Sequence, residues 1–102
     1  MRIIELDATK WKRVPDFYDA LLAAIGAPKS HGRNANALID SMIWGGINAV
    51  EPPYTIRISG TAILPKDVRE HVELVKQDLA SGRLDYQRRE GGDVGVSIDI
   101  EP

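Results

Sequence analysis

The sequence predicts one α/β domain over residues 1–102, in which helices pack against a small, mostly parallel sheet of three or four strands. The length of 102 residues is typical of a single domain. Short β-branched segments alternate along the chain with segments whose apolar residues recur at helical spacing. The resulting order, β-α-α-β-α-β, favours parallel strand pairing through right-handed crossovers.

The first strand is predicted over residues 2–6, which are short and rich in β-branched side chains. A helix follows from Val14, because Pro15 suits a first helical turn. Its apolar face recurs at helical spacing, at Phe17, Leu21 and Ile25. Gly26 and Pro28 then end the helix.

A second helix is predicted from about Asn34 to about Trp44, after a polar link over residues 29–33. Its core stripe consists of Ala35, Leu38, Met42 and Ile43. Consecutive glycines at 45 and 46 break the helix, and a loop containing two prolines excludes further helix up to residue 53. The β-rich residues 54–58 form the second strand.

A third helix is predicted from Pro65, and Gly82 is expected to close it. Its apolar face is the most regular in the chain and consists of Val68, Val72, Val75 and Leu79. His71 is expected on the solvated face. Residues 94–100 alternate strictly between apolar and polar and predict the last strand. Residues 84–89 also alternate, which permits an additional strand joined to it by a hairpin.

The composition excludes several classes of protein. The absence of cysteine rules out disulfide scaffolds and thiolate chemistry. No segment approaches the ~18 to 20 apolar residues of a membrane span, and acids interrupt the N-terminus where a signal peptide would be apolar. We therefore expect a cytoplasmic protein. The formal net charge of −2 divides into +1 for residues 1–50 and −3 for residues 51–102, which argues against direct binding of nucleic acid or a membrane.

No motif in the chain organises an enzyme, metal or cofactor site. Glycine-rich phosphate-binding motifs are absent from the sequence, and its histidines, His31 and His71, lie forty residues apart, so we expect no metal and no cofactor. Ser30, His31 and Asp40 offer the groups of a nucleophilic site but lack a G-x-S-x-G motif. We expect no enzyme, and a small hydrolase built on these residues is the weakest alternative.

Residues 28–42 are the most informative segment. On a helix, Leu38 and Met42 face the core, while Asn36 and Asp40 lie one turn apart beside Ile39. An acid, an amide and a branched apolar side chain next to a loop could form a docking face. From the pattern alone, an ordinary surface helix is the favoured interpretation.

The same segment resembles the signature of the barstar family, the intracellular inhibitors of barnase-type ribonucleases. In that family a proline, a turn with an aromatic pair and then G-x-N-x-D-A-L-x-D lead into the second helix. The positions of this chain that match it are Gly32, Asn34, Ala37, Leu38 and Asp40. A similar order of elements extends the resemblance over nearly the whole chain.

The resemblance implies a bacterial immunity protein that binds a cognate ribonuclease or nuclease toxin one-to-one, as a monomer. It places the contacts on the second helix and the loop before it, at Ser30, His31, Gly32, Asn34, Ala35, Asn36, Ile39, Asp40 and Trp44. Asp40 matches the main acidic anchor, which mimics a substrate phosphate in a basic active site.

The chain departs from the family pattern within this segment. Asn36 stands where the family usually has a second acid, and Arg33 stands where an acid is common. Ser30 and His31 replace the aromatic pair. These departures leave open an alternative, a barstar-fold regulator whose partner is not a nuclease.

A further acid of the family lies on the next helix, and here it would fall near Gln77 or Asp78. On the docking segment itself, Lys29, Arg33 and Asp40 sum to a charge of +1. By sequence alone, this segment is therefore not an acidic surface.

Overall fold

Three parallel strands and three helices build the domain, in the predicted order β-α-α-β-α-β. The structure is a computed structural model and describes residues 2–102. The strands are β1 (Arg2–Asp7), β2 (Tyr54–Ser59) and β3 (Val96–Ile100). The helices are α1 (Val14–Ala24), α2 (Ala35–Trp44) and α3 (Lys66–Glu90), and a 3-10 turn spans Thr61–Ile63. No helix within the described residues is long and apolar enough to cross a membrane.

The sheet has β2 at its centre, with β1 and β3 parallel to it on either side. Ile4, Ile56 and Ile98 share one register row. On the core face of β2, Tyr54, Ile56 and Ile58 are fully buried, as period-two alternation requires. On the opposite face the central Arg57 lies between two acids of the edge segments, Glu5 and Glu101, both 3.4 Å from its guanidinium.

α1 packs its predicted apolar face into the core, because Phe17, Leu21 and Ile25 are fully buried. The expectation that His71 lies on a solvated face is wrong. Its Nε2 atom lies 2.6 Å from the hydroxyl oxygen of Tyr18, and its ring packs against Phe17 with centroids 6.1 Å apart. α1 supplies both partners, so only the packing of α1 on α3 could reveal this environment.

The predictions that Gly82 ends the third helix and that residues 84–89 form a strand are also wrong. α3 continues to Glu90 and ends at Gly91, whose positive φ of 77° is typical of a helix C-terminus. The sheet therefore has three strands, all parallel. Gly82 serves packing instead, since a Cβ atom there would lie 2.6 Å from Cδ1 of Ile43 and 3.3 Å from Cγ2 of Ile39.

Gly82 sets how closely α2 and α3 approach, and its replacement by valine should separate them. We expect Gly82→Val to lower the free energy of unfolding by about 1–3 kcal/mol, the usual effect of overpacking. Urea denaturation followed by circular dichroism measures this loss. Ala80→Val is the matched control, because it adds the same kind of bulk at an exposed position of α3. Equal stability of the two variants would contradict the role given to Gly82.

The C-terminal half of α3 is attached to the loop before β3 by a two-pronged ion pair. The Nε and one terminal nitrogen of Arg83 each donate to the carboxylate of Asp93 at 2.7 Å. The backbone N–H of Gly95 donates to the same carboxylate at 2.9 Å. Together, these bonds hold the pKa of Asp93 down at about 2, from an ordinary value of 3.8.

This pKa shift predicts a contribution to acid sensitivity. Because the pKa of Asp93 is lower in the folded state, its stabilisation is complete above pH 3.8 and disappears as the pH falls to about 2. We expect Asp93→Asn to be less stable than the parent at pH 7 and to lose less stability between pH 7 and pH 2. Urea denaturation at both pH values tests this. Asp7 and Asp16, whose pKa values are lowered chiefly by backbone N–H groups, keep some acid sensitivity in both proteins.

Candidate functional site

The loop before α2 is held at the start of that helix by its capping residue. The side-chain oxygen of Asn34 accepts a hydrogen bond of 2.9 Å from the backbone N–H of Ala37, so Asn34 is the N-cap of the helix. Gly32 lies so close that a Cβ there would be 3.2 Å from Cβ of Ala37. The predicted docking loop and the first turn of α2 are therefore packed together.

A groove runs between α2 and α3. Leu38 and Met42 are fully buried, as predicted, and this orientation of α2 turns its other flank toward α3. The groove has a volume of about 460 Å³. From α2 it is lined by Asn36, Ile39, Asp40, Ile43 and Trp44, and from α3 by Asp78, Ser81, Gly82, Asp85, Tyr86 and Arg89.

The groove is acidic, although the docking segment by itself is not. Its lining contains three carboxylates, at Asp40, Asp78 and Asp85, against the single cation of Arg89. Within residues 2–102 no basic side chain forms an ion pair with Asp40 or Asp78. Of the two candidates for a later helical acid, Asp78 lines the groove, while Gln77 lies on another surface of α3.

Arg33 contributes less positive charge to this face than its position in the sequence suggests. Its guanidinium forms an ion pair with the carboxylate of Asp19 on α1. Both side chains are more than half exposed, so the pair adds little to stability. The pair matters for the charge of the surface, because Asp19 offsets the positive charge that Arg33 would otherwise add next to α2.

His31 is turned toward the interior and does not line the groove. Its Nδ1–H donates to the carbonyl oxygen of Gly32 at 2.7 Å, and its Nε2 lies 2.7 Å from Oγ of Ser41. The buried side chain of Asn48 also donates to that oxygen, at 3.0 Å. This network joins the docking loop, α2 and the loop after α2, so the histidine fixes the position of the loop. Ser30, beside it, is exposed.

The comparison with protein families agrees with this arrangement of loop and helices. The family model described as Barstar (barnase inhibitor) matches residues 1–93, which is most of the chain. The chain belongs to the barstar family. No curated protein matches it. The barstar family is a family of inhibitors, and its match extends through all of α2 and α3.

The structure does not assemble the alternative nucleophilic site in this barstar-family protein. Both ring nitrogens of His31 are engaged, one by Gly32 and the other by Ser41, so neither is available to Ser30. Ser41 is only 4% exposed and out of reach of a substrate. Asp40 lies in the groove, away from this pair. Within the described part of the chain no three histidine or carboxylate side chains cluster closely enough to hold a metal ion.

The barstar-family groove contains residues that reasoning from the sequence missed. Asp85, Tyr86 and Arg89 were placed in a possible strand, because Gly82 was expected to end the helix. A signal was present, since Asp78, Gly82 and Asp85 recur at spacings of four and three, which put them on one helical face. Because Gly82 contacts α2, the two acids on the same face of α3 must also lie toward α2.

Proposed function

We propose that this barstar-family protein inhibits a cognate ribonuclease or nuclease toxin by placing α2, the loop before it and the facing turns of α3 over the active site of the nuclease. The observation that carries the proposal is the acidic groove between the two helices, where Asp40 and Asp78 form no ion pair with any basic residue of the described chain, 2–102. The contacts proposed on α2 and the loop are those predicted from the sequence, with Asp40 as the charged anchor, except that His31 acts by holding the loop in place.

Charge complementarity provides the physical basis for this function. A ribonuclease binds the phosphates of RNA with basic side chains, so its free active site carries excess positive charge. Carboxylates held on two packed helices occupy fixed positions and lose little freedom on binding. Their field accelerates encounter with a basic surface, and buried charge-assisted hydrogen bonds then slow dissociation.

Apolar contacts complete the proposed interface. The indole of Trp44 is 47% exposed, and Ile39 is partly exposed beside Asp40. Aromatic side chains at the centre of an interface contribute much of its binding free energy, because they bury a large area with few rotatable bonds. We therefore place Trp44 and Ile39 at the apolar centre and Asp40 at the charged part of the interface.

A barstar-fold regulator with a non-nuclease partner is the second candidate function. It is favoured by the docking loop, where His31 is turned inward to Ser41 and Ser30 presents only a small hydroxyl. The family has an aromatic pair at these positions, so the loop of this chain offers a partner a different surface.

An inhibition assay tests the proposal. The purified chain is mixed with a panel of small basic ribonucleases, barnase included, and cleavage of a fluorogenic RNA is measured at low and high salt. We expect at least one nuclease to be inhibited at a one-to-one ratio, with slower association at high salt. Light scattering of the mixture measures the mass of the complex. Capture of a non-nuclease partner from the source cell, together with no inhibition, would favour the regulator.

A further inference from the structure

The last turns of α3 add no fully buried side chain to the core, although Tyr86 packs against it. The buried residues of the helix are Val68, Val72, Val75 and Leu79, and from residue 80 to Glu90 no side chain is fully buried. Besides the close packing of Gly82 on α2, two side chains hold these turns in place. Arg83 attaches one side to Asp93, and Tyr86 packs on the other side against Trp44 of α2.

Trp44, which is exposed, and Tyr86, which is partly buried against the core, form an aromatic pair at one end of the groove. Their ring centroids are 5.0 Å apart and their planes are tilted by 60°. Trp44 is the last residue of α2, and the chain turns away at Gly45, where φ is 68°. Tyr86 is therefore the side chain that supports the indole, which stays 47% exposed.

The aromatic pair and the carboxylate of Asp78 lie at different places along the same groove. Gly82 abuts Ile39 and Ile43, and one turn further along α3 Tyr86 abuts Trp44, the residue after Ile43. Eight residues of α3 separate Asp78 from Tyr86, a rise of about 12 Å. A partner that covers the groove must therefore offer two separate groups, one for each position.

We propose that the Trp44–Tyr86 pair, together with Asp85, is a second subsite that takes an arginine side chain of the protein partner. This inference rests on the proposed function of the groove. A guanidinium group is planar, stacks on aromatic rings and pairs with carboxylates, so it suits both components of the subsite. The excess of carboxylates over cations in the groove favours a basic group as well.

Two basic residues of the chain itself lie near this subsite. Arg88 forms an ion pair with Asp85 at 3.4 Å, and both side chains are strongly exposed, so exchange for an incoming guanidinium costs little. Arg89 lines the groove and repels a second cation. Removing this charge therefore tells a cationic ligand from an anionic one. Arg89→Ala should raise the affinity for a cation and lower the affinity for an anion.

A small probe tests the subsite without a nuclease. N-acetyl-arginine amide is titrated into the full chain at low ionic strength, and the indole N–H resonance of Trp44 is followed by NMR. The indole of Trp11 is the internal reference, because that side chain is only 8% exposed. We expect a saturable shift of the Trp44 resonance, with smaller shifts from N-acetyl-lysine amide and from N-acetyl-glutamate amide.

Four variants identify the residues responsible. Tyr86→Ala should weaken binding of the arginine probe about two- to fivefold. Tyr86→Phe keeps the aromatic ring and should bind the probe as the parent does. That result would show that the loss in Tyr86→Ala comes from the missing ring and not from misfolding. Leu84→Ala, at an exposed position outside the groove, should leave the affinity unchanged, and Arg89→Ala should increase it.

Some outcomes would overturn the subsite. They are an unmoved Trp44 resonance, an equal affinity in Tyr86→Ala, or a preference for the glutamate probe that Arg89→Ala abolishes. None of them depends on a nuclease. The subsite can therefore fail while inhibition at Asp40 stands, and it can bind the probe even if the nuclease panel shows no inhibition.

Discussion

Replacing Asp40 with alanine is expected to weaken the complex with a nuclease by about 2–5 kcal/mol, roughly 30-fold to 4,000-fold in Kd. This is the general range for truncating one partner of a charge pair that is buried and hydrogen-bonded at an interface. The reason for so large a loss is that Asp40 lies in the groove and forms no ion pair within residues 2–102, so its carboxylate is free to pair with the nuclease. Its removal leaves a basic group of the nuclease buried and unpaired.

Surface plasmon resonance on the inhibited nuclease measures this effect. Most of the loss should appear as faster dissociation, because the charge pair is buried only after docking. Glu73→Ala is the matched control, since it removes an exposed acid from another surface of α3. Glu73→Ala should lower the association rate slightly and leave the dissociation rate unchanged. An Asp40→Ala variant that dissociates as slowly as the parent would show that the anchor is another residue.

Phe17→Ala is expected to lower the free energy of unfolding by about 3–5 kcal/mol. The ring is fully buried and lies between three other aromatic groups. Its centroid is 5.0 Å from that of Tyr18, 5.7 Å from that of Trp11 and 6.1 Å from that of the His71 ring. Truncation removes these contacts and leaves a cavity that packed helices cannot fill.

Because domains of this size are stable by only about 5–15 kcal/mol, such a loss should be plain in urea denaturation. Leu84→Ala is the control, as it truncates a large apolar side chain that is 52% exposed, and a change within about 0.5 kcal/mol is expected. If the two variants unfold at the same urea concentration, the aromatic cluster is not central to the core. Because Phe17 does not line the groove, we also expect unchanged affinity for a nuclease at temperatures where the variant is folded.

Most elements of the fold were predictable because their periodicity is local. A helical repeat at Phe17, Leu21 and Ile25 and a strict alternation before Ile100 each indicate one buried face, whatever that face packs against. The start of α2 near Asn34 was predictable for the same reason, since the bond that caps the helix, from Ala37 to Asn34, spans only three residues.

The wrong predictions share a different cause, because each depends on a contact between distant segments. Glycine ends many helices, but Gly82 is required by the side chains of Ile39 and Ile43 on another helix. The alternation over residues 84–89 has no strand to pair with, and the helix persists there because Arg83 binds Asp93 and Tyr86 meets Trp44. His71 looked solvated until α1 supplied Tyr18.

The sequence by itself determined the order of the elements, their core faces and the segment that carries the barstar-family signature, with Asp40 on the second helix. The electrostatic character of the docking face was decided only by the tertiary structure. Counted along the segment, the charge near Asp40 is +1, and the acids of the chain are concentrated after residue 50. Close packing at Gly82 brings Asp78 and Asp85 into the same groove as Asp40, and Asp19 pairs with Arg33. Electrostatic interactions depend on distance in space, so the net charge of −2 could indicate a mildly acidic chain but not an acidic groove.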